Sequence, residues 1–96
     1  MKADETEVIA LLDSAINLFS KPLPEDAGPY LFERAQHKEN KEMYKEAVDD
    51  YDEYYHVVNG KVNDLFYYYR EQANYKSRNF KRALEDIQKA LEISPK

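Results

Sequence analysis

The stretch that decides the fold is residues 67–95, which read YYYREQANYKSRNFKRALEDIQKALEISP. In its second half the apolar positions recur at steps of three and four residues: Phe80, Ala83, Leu84, Ile87, Ala90 and Leu91. This spacing predicts an amphipathic helix over residues 80–93, and Pro95 follows where the helix should end. Arg78-Asn79 predicts a turn between this helix and the one before it.

The rest of the chain shows the same organisation of helices separated by joints. Glycine and proline lie only at these joints: Pro22, Pro24, Gly28, Pro29, Gly60 and Pro95. The segments between them predict helices over residues 5–19, 29–40, 43–58, 65–77 and 80–93, and no segment alternates as a strand would. Asp26 is expected to cap the second helix and Asn63 or Asp64 the fourth. Asn59-Gly60 tolerates the left-handed conformation that closes the third.

The second and third helices resemble the fourth and fifth when the chain is shifted by 36 residues (83 minus 47). The matched positions are Arg34 with Arg70, Tyr44 with Phe80, Ala47 with Ala83, Val48 with Leu84, Tyr51 with Ile87 and Tyr55 with Leu91. The chain therefore contains an internal repeat of a helix pair.

Residues 67–95 resemble the tetratricopeptide-repeat (TPR) family, whose helix-turn-helix unit has a period of about 34 residues. The matching positions are Tyr67 and Phe80 at the starts of the two helices, Ala83 where the helices cross, and Ile87, Ala90 and Pro95. Arg70-Glu71 and Asn74 depart from the leucine-glycine pair and the tyrosine of the family. The longer period here predicts a loop around residues 59–62.

The resemblance implies an all-α fold, a TPR-like right-handed stack of antiparallel helix pairs with about five helices. It divides a single domain, residues 1–96, into a half repeat over 5–20 and repeats over 28–60 and 64–96. We expect a piece of a longer array, whose last repeat leaves an apolar strip uncovered.

Composition narrows the class of protein. A formal net charge of -5 disfavours nucleic-acid binding, which depends on lysine and arginine. No apolar run approaches the roughly 20 residues that a membrane span needs, so we expect a soluble protein with one modest core and no membrane insertion. The absence of cysteine fits cytoplasm and periplasm equally well.

Candidate chemistry is sparse. His37 and His56 each lie on a predicted helix without a second ligand at metal-site spacing, and Asp49-Asp50 lies in an acidic run on a face expected to be solvated. The sequence also lacks a glycine-rich phosphate loop and a cysteine nucleophile. We therefore expect no enzyme activity, no metal site and no cofactor.

The concave groove of the TPR family is lined by the first helix of each repeat, and the resemblance carries eight positions over to this chain. They are Phe32, Gln36, Glu39, Asn40, Tyr68, Gln72, Tyr75 and Lys76. Aromatic rings flanked by amides suit a peptide or a partner helix, so the sequence predicts a protein-protein interaction scaffold. Phe32 and Tyr68 stand where basic residues would be needed to clamp a chaperone carboxylate, which disfavours that ligand.

Two other functions stay open on the sequence alone. Exposed Tyr68 and Tyr75 could stack on a glycan or another small ligand. The chain could instead be a structural spacer or a homodimer that assembles through uncovered repeat ends or through charged faces. The acidic positions are Glu42, Glu46, Asp49, Asp50, Asp52 and Glu53, and the basic ones are Lys76, Arg78, Lys81 and Arg82. Such patches can also meet within one molecule.

Overall fold

A computed structural model describes residues 4–95, and this part of the chain forms five α-helices and one short 3-10 helix without a strand. The α-helices are α1 (Glu5–Asn17), α2 (Gly28–Asn40), α3 (Tyr44–Val57), α4 (Asp64–Lys76) and α5 (Phe80–Ile93), and the 3-10 helix covers Glu25–Ala27. The predicted all-α class and its five helices are confirmed. None of the described helices combines the length and apolar character needed to cross a membrane.

Side-chain caps begin three of the helices. Asp4 accepts a hydrogen bond from the backbone N–H of Thr6 at 2.8 Å at the start of α1. Asn63 caps α4, as predicted, and Asn79 caps α5. Each cap satisfies a backbone donor that the first turn of a helix leaves free.

The predicted cap at Asp26 is wrong. Asp26 lies inside the 3-10 helix, which runs directly into α2. Ala27, the residue before α2, already has helical dihedrals (φ -75°, ψ -14°), whereas a capping residue is typically extended. Pro29 does lie in the first turn of α2, as expected.

The two helix pairs, α2 with α3 and α4 with α5, are closed by the same kind of loop. The loops span residues 41–43 and 77–79, and their central residues have positive φ, 61° at Glu42 and 68° at Arg78. The backbone N–H after each central residue donates to a carbonyl five positions back, from Met43 to Lys38 and from Asn79 to Asn74, both at 2.8 Å. The sequence repeat is thus matched by repeated loop geometry.

The joint between α3 and α4 is longer and covers residues 58–63. Its second and third residues, Asn59 (φ 55°) and Gly60 (φ 71°), are left-handed, as the sequence predicted. This is also the loop that the 36-residue period placed around residues 59–62.

Buried apolar side chains form two clusters rather than the single core that chain length suggested. The larger cluster joins both helix pairs and contains Ala35, Ala47, Val48, Tyr51, Phe66, Tyr67, Ala73 and Ala90. The smaller one contains Ile16, Ala27, Leu31 and Val57 and holds α1 and the 3-10 helix against α2 and α3. Tyr54 packs against both clusters and connects them.

Candidate functional site

An open groove lies between α2 and α4 above the end of α3, with a volume of about 610 Å³. We call it the aromatic groove. Its lining residues are Phe32, Tyr54, Lys61, Val62, Asn63, Leu65, Phe66 and Tyr69. Two consecutive helix pairs and the joint between them therefore build one surface.

Phe32 is the centre of the aromatic groove. Its ring centroid lies 5.5 Å from that of Tyr51, 5.2 Å from that of Tyr54 and 5.6 Å from that of Tyr69. Edge-to-face and tilted pairs at these distances are favourable and fix the orientation of the rings. The groove is consequently preorganised, with little side-chain freedom left to lose when a ligand binds.

A second open cavity of about 690 Å³ shares Phe32 and Tyr54 with the aromatic groove and extends it towards the start of α2. Its other lining residues are Glu25, Asp26, Pro29, Tyr30 and Val58. The combined surface has carboxylates at one end and Lys61 at the other. An apolar floor with opposite charges at its two ends suits an extended chain segment of matching polarity.

The eight positions that the family resemblance implied differ in their exposure. Phe32 alone lines the aromatic groove. Tyr68 is half-buried against the larger core cluster, and Gln36 and Glu39 are half-buried as well. The exposed positions are Asn40, Gln72, Tyr75 and Lys76.

Several of these eight side chains are held by neighbours. The Tyr75 ring lies 5.3 Å from that of Phe80, centroid to centroid, and the Lys76 ammonium lies 5.4 Å from the centre of the Tyr44 ring. Asn40 donates a hydrogen bond of 3.2 Å to Glu5. Whether Tyr68 and Tyr75 stack on a small ligand stays a prediction.

Glu39 has the most unusual environment of the eight. Its carboxylate accepts a hydrogen bond from the hydroxyl of Tyr51, a fully buried ring. Burial raises the pKa of Glu39, while the Tyr51 hydroxyl and the charge of Lys76 oppose the shift. Burial also raises the pKa of Tyr51, together with its hydrogen bond to Glu39. The pair anchors α2 to α3 beside the predicted groove positions.

Arg34 links three helices. Its guanidinium makes a bidentate contact with Asp50 on α3, at 2.9 Å and 2.7 Å, and reaches Asp13 on α1 at 2.7 Å. Lys38 adds a further ion pair to Asp50 at 3.0 Å. Asp50 is buried, which overturns the expectation that Asp49-Asp50 lies on a solvated face. Only Asp49 is exposed.

The same arrangement recurs 36 residues later (70 minus 34). Arg70 contacts both carboxylate oxygens of Asp86 on α5, at 2.8 Å and 3.1 Å, and reaches Asp52 on α3 at 3.3 Å. Asn74, at the position equivalent to Lys38, donates to Asp86 at 3.0 Å. In each helix pair an arginine on the first helix therefore binds the second helix and the preceding pair or helix. We call these contacts the arginine clamps.

The acidic and basic segments meet within one molecule at Asp52. Arg82 donates to its two carboxylate oxygens at 2.8 Å and 3.1 Å, next to the contact from Arg70. Arg70 and Asn74, two residues at which the sequence departs from the TPR pattern, thus carry the polar network of the second pair.

One of the two histidines, His37, connects two helices. The Nδ1 of His37 lies 2.5 Å from a carboxylate oxygen of Glu5, a contact between α2 and α1. This hydrogen bond is the main cause that lowers the pKa of Glu5. Within residues 4–95, no group of three or more histidine or acidic side chains could hold a metal ion.

No family model, curated protein or solved structure matches this chain.

Sequence reasoning missed Tyr54, Leu65 and Tyr69 as groove residues. Tyr69 stands one residue after the repeat equivalent of Phe32, and Leu65 lies one helical turn before Tyr69. This spacing, which places Leu65 and Tyr69 on one face of α4, was the sequence feature that could have identified them as groove residues. No such feature pointed to Tyr54, because it lies on α3, the second helix of its pair, where the family resemblance implies no groove residues.

Proposed function

We propose that this protein is a TPR-like interaction module whose aromatic groove binds a segment of a partner protein. The observation that supports this most is the joined pair of cavities around Phe32 and Tyr54, floored by rings and open along its length. Aromatic side chains dominate the energy of protein interfaces because they bury a large area with few rotamers.

The charges at the ends of the groove indicate the chemistry of the partner. Glu25 and Asp26 favour a basic side chain at one end, and Lys61 favours an acidic one at the other. Between them, the rings of Phe32 and Tyr69 favour a bulky apolar anchor. The preferred ligand is an extended segment with an apolar centre between a basic and an acidic residue.

Peptide display tests this proposal. Peptides selected on the wild-type protein are measured against Leu65→Glu, which places a charge on the exposed rim of the groove. We expect the affinity of selected peptides to fall at least about tenfold, since an apolar anchor would have to be buried next to a carboxylate. Leu11→Glu is the matched control, because Leu11 is similarly exposed on α1 and lies outside the groove.

A second variant separates the aromatic groove from the surface that the resemblance implied. Tyr68→Ala combined with Tyr75→Ala should leave the selected peptides bound. If this double variant abolishes binding while Leu65→Glu does not, the site lies at the family positions and our assignment of the groove is wrong.

A further inference from the structure

A second apolar surface lies on α5, away from the aromatic groove. Phe80, Leu84 and Leu91 are 56%, 58% and 42% exposed, and half-buried Ile87 lies between them along the helix. Steps of four, three and four residues place these side chains along one face of the helix. We call this face the α5 stripe.

The equivalent face of α3 shows what such a stripe does in this protein. Val48 and Tyr51, which lie 36 residues before Leu84 and Ile87, are 7% and 0% exposed because α4 covers them. On α3 the middle of this register is thus buried in the cluster that α4 completes, whereas its last position, Tyr55, is 38% exposed. On α5 the same register meets solvent.

The charges beside the α5 stripe indicate which helix would cover it. Lys81 and Glu92 are separated by 11 residues (92 minus 81), which is close to three full turns, so both lie on the same side of the stripe. Lys81 stands near the start of α5 and Glu92 near its end. Along the helix, the midpoint between Lys81 and Glu92 and the midpoint of the α5 stripe both fall next to Asp86.

When two copies of a helix pack antiparallel, the residues that flank the contact on one side of the first helix face the residues on the equivalent side of the second. If the second helix is another α5, Lys81 of each protomer faces Glu92 of the other. The contact between Lys81 and Glu92 then occurs twice, once on each side of the axis, as every contact across a two-fold interface does.

We propose that two copies of this chain associate through their α5 stripes, antiparallel and related by a two-fold axis, with Lys81 opposite Glu92 on both sides. Phe80, Leu84, Ile87 and Leu91 form the apolar centre of this interface. The aromatic groove lies between α2 and α4, and none of its lining residues is on α5. The dimer is therefore independent of ligand binding in the groove.

Sedimentation velocity of the full chain from micromolar to millimolar concentration tests the apolar centre. We expect a concentration-dependent dimer for the wild type, and a dissociation constant raised about a hundredfold or more by Leu84→Glu, because one leucine is lost from each protomer and a carboxylate takes its place. Leu11→Glu should leave the constant within about twofold, since an exposed site outside the interface contributes little. A wild type that stays monomeric, or equal weakening by both variants, overturns the proposal.

A charge exchange tests the antiparallel arrangement itself. Lys81→Glu or Glu92→Lys alone should weaken the dimer about threefold to tenfold, since each places two like-charged pairs at the interface. Glu92→Lys also removes the exposed 3.8 Å ion pair with Lys89 in the same chain, so Lys81→Glu is the cleaner of the two single changes. The double variant Lys81→Glu with Glu92→Lys should return to within about twofold of the wild type. If the double variant is as weak as the two single changes together, the two charges do not face each other and the arrangement is wrong.

Discussion

At the scale of single residues, the arginine clamps explain how adjoining helices are held in register. Arginine presents five donors in a planar fork, so Arg34 and Arg70 can each bind one carboxylate with two bonds and still reach a second. Arg70 also lies over aromatic rings, with its guanidinium carbon 4.9 Å from the centre of the Phe66 ring. Lysine cannot reproduce this geometry.

Asp86→Asn tests the second clamp. The side chains of Arg70 and Asp86 are 13% and 5% exposed, so removing the carboxylate charge leaves a guanidinium poorly compensated in a mostly buried site. We expect the free energy of unfolding to fall by about 3 kcal/mol, as measured by urea denaturation. Lys89→Ala is the control, because its ion pair with Glu92 is exposed and should contribute less than about 1 kcal/mol. Equal losses from both variants would contradict the assignment.

Glu39→Gln tests the buried carboxylate next to Tyr51. Since burial raises the folded-state pKa of Glu39, its contribution to stability is present below its ordinary value of 4.5 and is lost as pH rises through the folded pKa. Glutamine keeps an acceptor for the Tyr51 hydroxyl without the charge. The variant should be more stable than the wild type at neutral pH, by less than about 1 kcal/mol because Glu39 is only half-buried. This difference in stability should vanish near pH 4.5.

Thermal denaturation of both proteins at the two pH values measures this effect. A variant less stable than the wild type at neutral pH would mean that the ionic hydrogen bond to Tyr51 outweighs the cost of burial.

The sequence revealed part of this residue-level picture. Arg34 and Arg70 were visible as repeat equivalents, and Asp50 and Asp86 are separated by the same 36 residues (86 minus 50). The acidic run around Asp50 concealed its burial, because periodicity alone cannot tell which member of an Asp-Asp pair faces a neighbouring helix. Packing of α2 on α3 decides it.

At the scale of elements, the sequence predicts a helix end correctly where local backbone chemistry determines it. Asn63 and Gly60 stand where local backbone chemistry alone determines the cap and the left-handed turn. The predicted cap at Asp26 is wrong because the 3-10 helix before α2 depends on packing, with Ala27 buried beside Leu31 in the smaller cluster. Tertiary contacts there override a local capping preference.

Gly60→Ala tests the joint between α3 and α4. At φ 71° an added Cβ would lie 3.1 Å from the hydroxyl oxygen of Tyr55, so the substitution combines backbone strain with a close contact. We expect a loss of about 1 to 2 kcal/mol in the free energy of unfolding. Arg78→Ala is the control, because Arg78 already adopts φ 68° with a Cβ and is exposed. Denaturation curves that shift equally for both would contradict this account.

At the scale of the whole molecule, the helix pairs depend on one another through the two clusters. Tyr54 packs against both, and its ring also stacks on that of Phe66 with centroids 5.6 Å apart. In stacked helical pairs, stability is shared between neighbours through contacts of this kind. Tyr54 therefore connects the cluster that holds α1 and the 3-10 helix to the cluster that joins the helix pairs, in addition to the ion pair between Arg34 and Asp13.

Tyr54→Ala should reduce this coupling. We expect a loss of about 2 kcal/mol or more in the free energy of unfolding, from lost burial and the cavity left behind. The denaturant dependence should also become shallower if the two clusters no longer unfold together. Tyr75→Ala, at a ring 59% exposed, should cost less than about 1 kcal/mol and leave the slope unchanged. An unaltered slope for Tyr54→Ala would show that other contacts couple the clusters.

The sequence could predict that aromatic residues would be exposed but not which of them would form one surface. Tyr67, Tyr68 and Tyr69 had to point in different directions, and the structure buries Tyr67 and leaves Tyr69 partly exposed beside Phe32. The aromatic groove needs α2, α3 and α4 in their final arrangement, and no local pattern encodes that arrangement.

Photo-crosslinking at Leu65 is the most direct test of the proposal that the aromatic groove binds a partner. A benzophenone amino acid is placed at Leu65, on the rim of the groove, and in a second preparation at Leu11 on α1, which is at least as exposed. Both are irradiated in lysate of the native cells, and the products are identified by mass spectrometry. The account predicts a single predominant partner segment crosslinked from Leu65, absent from Leu11, and apolar between a basic and an acidic residue. The same products from both positions, or none from Leu65, would contradict it.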